Sequence, residues 1–451
     1  MRAGARCALP GLTAVALLAC GDVVSQPIGA AAGADAGADA SRDTTTPPGD
    51  ASSFCAGHGP IPVPATNVCL GDLADVFRFA ACACDSLDVS GVLTTDSFDG
   101  TADAGPSSGD LASIASNGEL SANSTTSVGG SVWAGAPAGP GVPALTLRGS
   151  GTIVHDARAG GSVAVGGKYL VEGDVWANGS VVLDPGASLA VVGAVHLPPG
   201  DTAPGVQGTV VPGPVSIAPP CDCTSPIDVG AIVAAFASDN DDATVGLSPT
   251  TTLGGTVSLP CGRYAVATIQ GASVTLQING RVALLVTGDL AVTRSLQIQL
   301  AAAAELDLFV RGNVSIGGSL AIGEAGHAAR TRLYVGGSTV ALSATAAPLA
   351  ANVYAPNAVL QLASNLEMWG ALFAKSMQFS GDLTLHYDTS VLQVSQSSGC
   401  DVAGGSCTSC GDCGGAAPAC TAGTCVPCTT SADCCAPLAC AADGRCVLAA
   451  Q

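Results

Sequence analysis

Lysine is nearly missing: the 451 residues include two, Lys168 and Lys375. Charged residues make up 11% of the chain and aromatic residues 4%, against about 25% charged in an ordinary soluble domain. Long amphipathic helices need Lys, Glu and Arg on their wet faces, so helical bundles and coiled coils are excluded as the main architecture. Basic clusters are lacking too. No three consecutive residues are basic, and 15 Lys and Arg against 35 Asp and Glu leave a formal charge of −20. Nucleic acid, which is held through Lys and Arg on its phosphates, is not an expected partner, and neither is electrostatic adhesion to anionic lipid. What remains is apolar without being aromatic, 48% hydrophobic with 59 Gly and 27 Pro. That mixture suits many short strands in narrow stacked coils better than one large globular core.

The N-terminus reads as an export signal. Arg2 and Arg6 precede an apolar run from Gly11 to Ala19, too short to span a bilayer, which takes roughly 20 residues. It ends Leu17-Leu18-Ala19-Cys20, which resembles the lipobox of bacterial lipoproteins. The resemblance implies cleavage before Cys20, acylation of that cysteine and, with Gly21 at the next position, sorting to the outer membrane. Residues 1–19 are thus the signal and 20–52 a tether. Its Ala-, Gly-, Asp- and Thr-rich composition buries too little apolar surface to offset the entropy of ordering.

Short apolar strands punctuated by Gly-Gly, Gly-Asp and Gly-Asn fill the middle of the chain. Anchors starting at Leu285, Phe309, Tyr334, Tyr354 and Phe373 lie 24, 25, 20 and 19 residues apart, and the runs at 162–193 repeat the same grammar. A period near 20 is that of a parallel β-solenoid; an antiparallel β-sandwich is the alternative. We expect a mainly β fold, a right-handed parallel β-helix with short capping helices, divided into residues 53–224 and 225–398. A helix is expected over Ile227–Ala237, with Ser225 or Asp228 as N-cap, and a weaker one over Gly71–Ala83. Both would cap terminal rungs.

Without Cys7 and Cys20, 18 cysteines remain. Seven lie in the body (Cys55, Cys69, Cys82, Cys84, Cys221, Cys223, Cys261) and eleven in the tail at 399–451 (Cys400, Cys407, Cys410, Cys413, Cys420, Cys425, Cys428, Cys434, Cys435, Cys440, Cys446). In an exported chain these are expected to be disulfides rather than zinc ligands. Both counts are odd, so at least one bridge should join body to tail, with Cys400 as the tail candidate. The close pairs Cys82/Cys84 and Cys221/Cys223 should each reach to other loops.

Two further resemblances follow from these motifs. The stretch 226–394, with VTGDL, VRGNVSIGG, YVGG, VYAPN and LHYD, looks like an uncharacterised β-helical domain of myxobacterial surface lipoproteins and adhesin-type proteins, which implies surface exposure. The tail pattern around Cys434-Cys435 resembles Dickkopf N-terminal or knottin-like modules, which implies a small disulfide-rich fold. The strands at 160–195 also loosely resemble bactofilin-type polymer-forming rungs.

No GxSxG, HExxH, P-loop or EF-hand spacing occurs. The histidines at 58, 155, 196, 327 and 386 are scattered, and His386-Tyr387-Asp388 is the most suggestive trio. On a strand its His and Asp share one face and its Tyr the other. Asp239, Asp241 and Asp242 form the sole, lesser calcium candidate. We expect no catalytic residue, no cofactor and no metal. The sequence points to a non-enzymatic cell-surface lipoprotein, a structural or adhesive stalk with a matrix, glycan or protein ligand. A carbohydrate-active β-helix enzyme is the alternative and a polymer-forming scaffold the second. The enzyme requires carboxylates gathered on one solenoid face; the scaffold turns on whether the solenoid ends are capped.

Overall fold

A computed structural model describes residues 51–60, 76–101, 111–137, 139, 141–224, 226–238, 240–344 and 348–394, together with 419–421, 424–430, 433, 438–440 and 446–448 of the tail. Cys20, Cys69, Asp239, Cys400, Cys407, Cys410, Cys413, Cys434 and Cys435 lie outside the described residues.

Twenty-seven strands form one sheet whose pairings are all parallel, a β-solenoid of about 13 turns. The anchors read from the sequence stack directly on one another: Leu285 on Phe309, Phe309 on Tyr334, Tyr334 on Tyr354 and Tyr354 on Phe373. Glycine followed by Asp or Asn marks the corners, where a carboxylate or amide oxygen accepts a backbone N–H from the next turn. Asp289 Oδ1 takes that of Asn313 at 2.7 Å, Asn313 Oδ1 that of Ser338 at 3.0 Å, and Asp174 Oδ1 that of Ala194 at 2.8 Å. The glycine is required because a Cβ at Gly312 or Gly193 would collide with that oxygen.

The order of turns differs from the order of the chain. Strand Ala81–Val89 pairs upward with Ile114–Ser116 and Glu119–Ala122 and downward with Leu372–Phe379, 291 residues further on by the Ala81–Leu372 register. Leu93–Phe98 pairs likewise with Leu383–Asp388. The two expected halves therefore merge into one continuous stack. Residues 252–388 build its lower part and 81–212 its upper part, and both ends of the body meet at a central seam. Asp382 spans the seam by accepting the Val92 N–H at 2.9 Å.

To reach the bottom turn from the top, the chain must run back down the outside. This connector crosses the seam as Pro220–Cys223, held by Cys82–Cys221, Cys84–Cys223 and the Asn117 amide, which both donates to and accepts from the Cys221 backbone at 2.8 Å. Helix Val229–Phe236 follows, with the Asp228 carboxylate capping the Ala231 N–H, and buries Val229, Ile232, Val233 and Phe236. It lies against the strands Thr268–Val286 and Glu305–Val310, not on a terminal turn as expected. Of the expected helix over Gly71–Ala83, residues 71–75 lie outside the described ones, Val76 is helical, the chain then turns, and Ala81–Val89 is a strand. Residues 79–83 are all buried, and a short continuous apolar run does not by its periodicity distinguish a buried strand from a helix.

The N-terminal segment is fastened low on the stack. Helix Ala51–Ala56 is joined to the bottom strand by Cys55–Cys261. Arg281 donates to the carbonyls of Phe54, Gly59 and Pro60, and Glu305 accepts the Gly59 N–H. Beneath it, Arg332 and Asp307 form a fully buried pair at 2.6 Å, and a second Arg332 nitrogen meets Glu305 at 2.8 Å. The two carboxylates raise the Arg332 pKa despite its burial.

Candidate binding face

Of the residues singled out in the sequence, His386 acquires partners that the sequence does not show. Its Nδ1 lies 2.6 Å from Asp96, its Nε2 3.4 Å from Glu367, and its ring stacks on Trp369 at 4.1 Å. Asp96 comes from the upper part, so this pair crosses the seam. Burial opposes the imidazolium, but the bond to Asp96 and the Glu367 charge outweigh it and raise the pKa. Both ring nitrogens face carboxylates, so neither is free to abstract a proton from a substrate. The cluster serves as a pin. Tyr387 points inward as expected and donates to the Phe77 carbonyl at 2.6 Å. Asp388 is fully buried and accepts from Gly100, Ala329 and Ser390.

A folded pKa raised above that of the free side chain gives stability that is complete below the unfolded value and lost as pH rises through the folded one. Melting temperature should therefore fall as pH is raised through and above neutrality. His386→Gln should flatten that dependence. An unchanged slope in the variant would assign it elsewhere.

The acidic turn has a structural role. Asp241 Oδ2 accepts the Arg263 N–H and Asp242 Oδ1 the Ala265 N–H, each at 2.8 Å. These are donors on the free lower edge of the bottom strand, Thr252–Val266. Burial, reinforced by the Asp241 charge, raises the Asp242 pKa. Among the described residues no group of three His, Cys, Asp or Glu is placed to hold a metal, and no helix is long and apolar enough to cross a membrane.

The feature that the sequence reading missed is a column. The ladder Leu285–Phe309–Tyr334–Tyr354–Phe373 continues across the seam through Cys82 and Ala115 to Trp133, Arg158, Trp176, His196 and Val211, one residue per turn. In the lower part the column is buried beneath the connector, whose Ile227 N–H reaches the Tyr354 hydroxyl at 2.9 Å. Burial pushes that phenol up to about 12. Above the seam Trp133, Arg158, Trp176 and His196 are partly exposed, the two indole nitrogens buried and the side chains of Arg158 and His196 29% and 20% accessible. Arg158 sits 5.0 Å over the Trp133 ring, while Trp176 and His196 stack at 3.6 Å. Arg158 is also held by Asp156 at 3.0 Å, and His196 lies 3.5 Å from Asp174. The result is a strip in which two indole rings alternate with an arginine and a histidine, rather than a pocket. Its spacings of 25, 18 and 20 residues follow the arithmetic that revealed the lower anchors.

No curated protein and no solved structure matches the chain. One family does match part of it: residues 222–394, the connector helix and the whole lower part of the stack, are similar to a domain of unknown function, DUF7305.

Proposed function

We propose that the protein is a non-enzymatic surface lipoprotein of the outer membrane, anchored through Cys20, whose solenoid is a stalk making structural or adhesive contacts with matrix, glycan or protein. The observation that carries this reading is the outward ladder, buried beneath the connector below the seam and partly exposed above it. A long regular strip offers many weak contacts in register with a repetitive partner, and an acidic, lysine-poor surface limits unspecific contact with anionic cell material. The carboxylates brought to the surface at His386, Asp156 and Asp174 are engaged by His, Arg or backbone N–H groups, which does not favour the glycan-cleaving alternative.

Cells lacking the protein should adhere or cohere differently. Trp176→Ala with Arg158→Ala should weaken retention of the purified chain on extracellular matrix severalfold while its melting temperature stays near that of the parent. Release of sugar or peptide products from such polymers by the purified protein would overturn the reading in favour of an enzyme.

A further inference from the structure

The two ends of the stack are finished differently. At the bottom, the edge N–H groups of Arg263 and Ala265 are taken by Asp241 and Asp242, and helix Ala51–Ala56 is bonded to the same strand. At the top, the last strand of the stack, Gln207–Pro212, pairs among the described residues only with Ser188–Leu197, and all six of its residues are exposed. The Gly213 N–H donates downward to Leu197 at 2.8 Å. By strand alternation Val210 and Pro212 turn upward, leaving one N–H and two carbonyls without a sheet partner among the described residues. Of the six large apolar residues exposed among the described residues, Val182, Val192, Val210 and Val211 belong to these final turns.

The geometry points to a second copy of this chain at the open end, the two Gln207–Pro212 strands pairing antiparallel about a two-fold axis. Only like can meet like here. The closed bottom offers no edge for head-to-tail growth, so the contact is isologous and ends at a dimer. No charged residue lies between Thr202 and Pro220, so two molecules of charge −20 can meet at this end without local like-charge repulsion. Edge strands left single are commonly guarded by Lys, other charges or Pro; this one carries no charge, has Pro only at its last position, Pro212, and places two valines before it. The inference goes beyond the proposed function and does not depend on it.

Sedimentation equilibrium of the full chain carrying Cys20→Ser, at micromolar to hundreds of micromolar concentration, tests this. The parent should reach twice the monomer mass. Val210→Lys and Val211→Lys should each raise the dissociation constant at least tenfold, while Val142→Lys, which charges an exposed valine outside the open end, should leave it unchanged. Circular dichroism and melting check folding; should Val210→Lys melt early, Val211→Lys, whose side chain faces outward, carries the test. A parent that stays monomeric, a dimer that survives the Lys variants, or an assembly that keeps growing with concentration would each overturn the inference.

Discussion

Removing both seam bridges, Cys82–Cys221 and Cys84–Cys223, should destabilise the protein by about 7 kcal/mol, whereas removing either alone should cost only about 2 kcal/mol. Each closes a loop of sequence separation 139. While one is intact, however, its neighbour closes only the few residues between them, so the loop entropy is released when the second goes. The prediction is one of strong non-additivity. It is checked by denaturant unfolding of Cys82→Ala/Cys221→Ala, of Cys84→Ala/Cys223→Ala and of the quadruple variant; simple addition of the two losses would contradict it. The same protein, digested without reduction, should also resolve the odd cysteine counts. Six of the seven body cysteines pair among themselves, so Cys69 is expected in a peptide joined to a tail cysteine. Cys428 in the tail is already disulfide-bonded.

The second large effect is expected at Arg332. Arg332→Met leaves Asp307 buried with no cation on its oxygens and removes one partner of Glu305, a loss of about 3–5 kcal/mol. Burial already pushes the Asp307 pKa upward against the pull of Arg332, so the variant should partly recover at low pH, where that carboxyl becomes neutral. Arg332→Met with Asp307→Leu should regain much of the loss. Equal instability of the single and double variants would show that the pair matters for its shape rather than its charge.

Much of this architecture is legible in the chain. The anchors at Leu285, Phe309, Tyr334, Tyr354 and Phe373 gave their own register, because a solenoid turns sequence separation directly into stacking. The Gly-Asp corners are equally local. The seam is not, because nothing within Ala81–Val89 says that its lower neighbour lies almost 300 residues away. For the same reason the partners of His386 were invisible. Adjacency suggested Tyr387 and Asp388, while the stack supplied Asp96 and Glu367 from other turns. The upper ladder was missed for a different cause. Its members are Trp, Arg, Trp and His, which share a position but no chemical type, so a search for like residues passes over them.

The central seam also bears on how the chain reaches its final form as it is made. The upper part, 81–212, is synthesised first and begins at what becomes the middle of the stack. Until Leu372–Phe379 follows, its first strand has no lower neighbour, and Gln207–Pro212 is open at the other end. For most of synthesis the upper part is thus a sheet with two bare edges, the condition in which parallel sheets mispair with their surroundings. The lower part grows from its closed bottom turn toward the waiting seam, so the pairing of greatest sequence separation is made last, and it is there that the slow step of folding belongs.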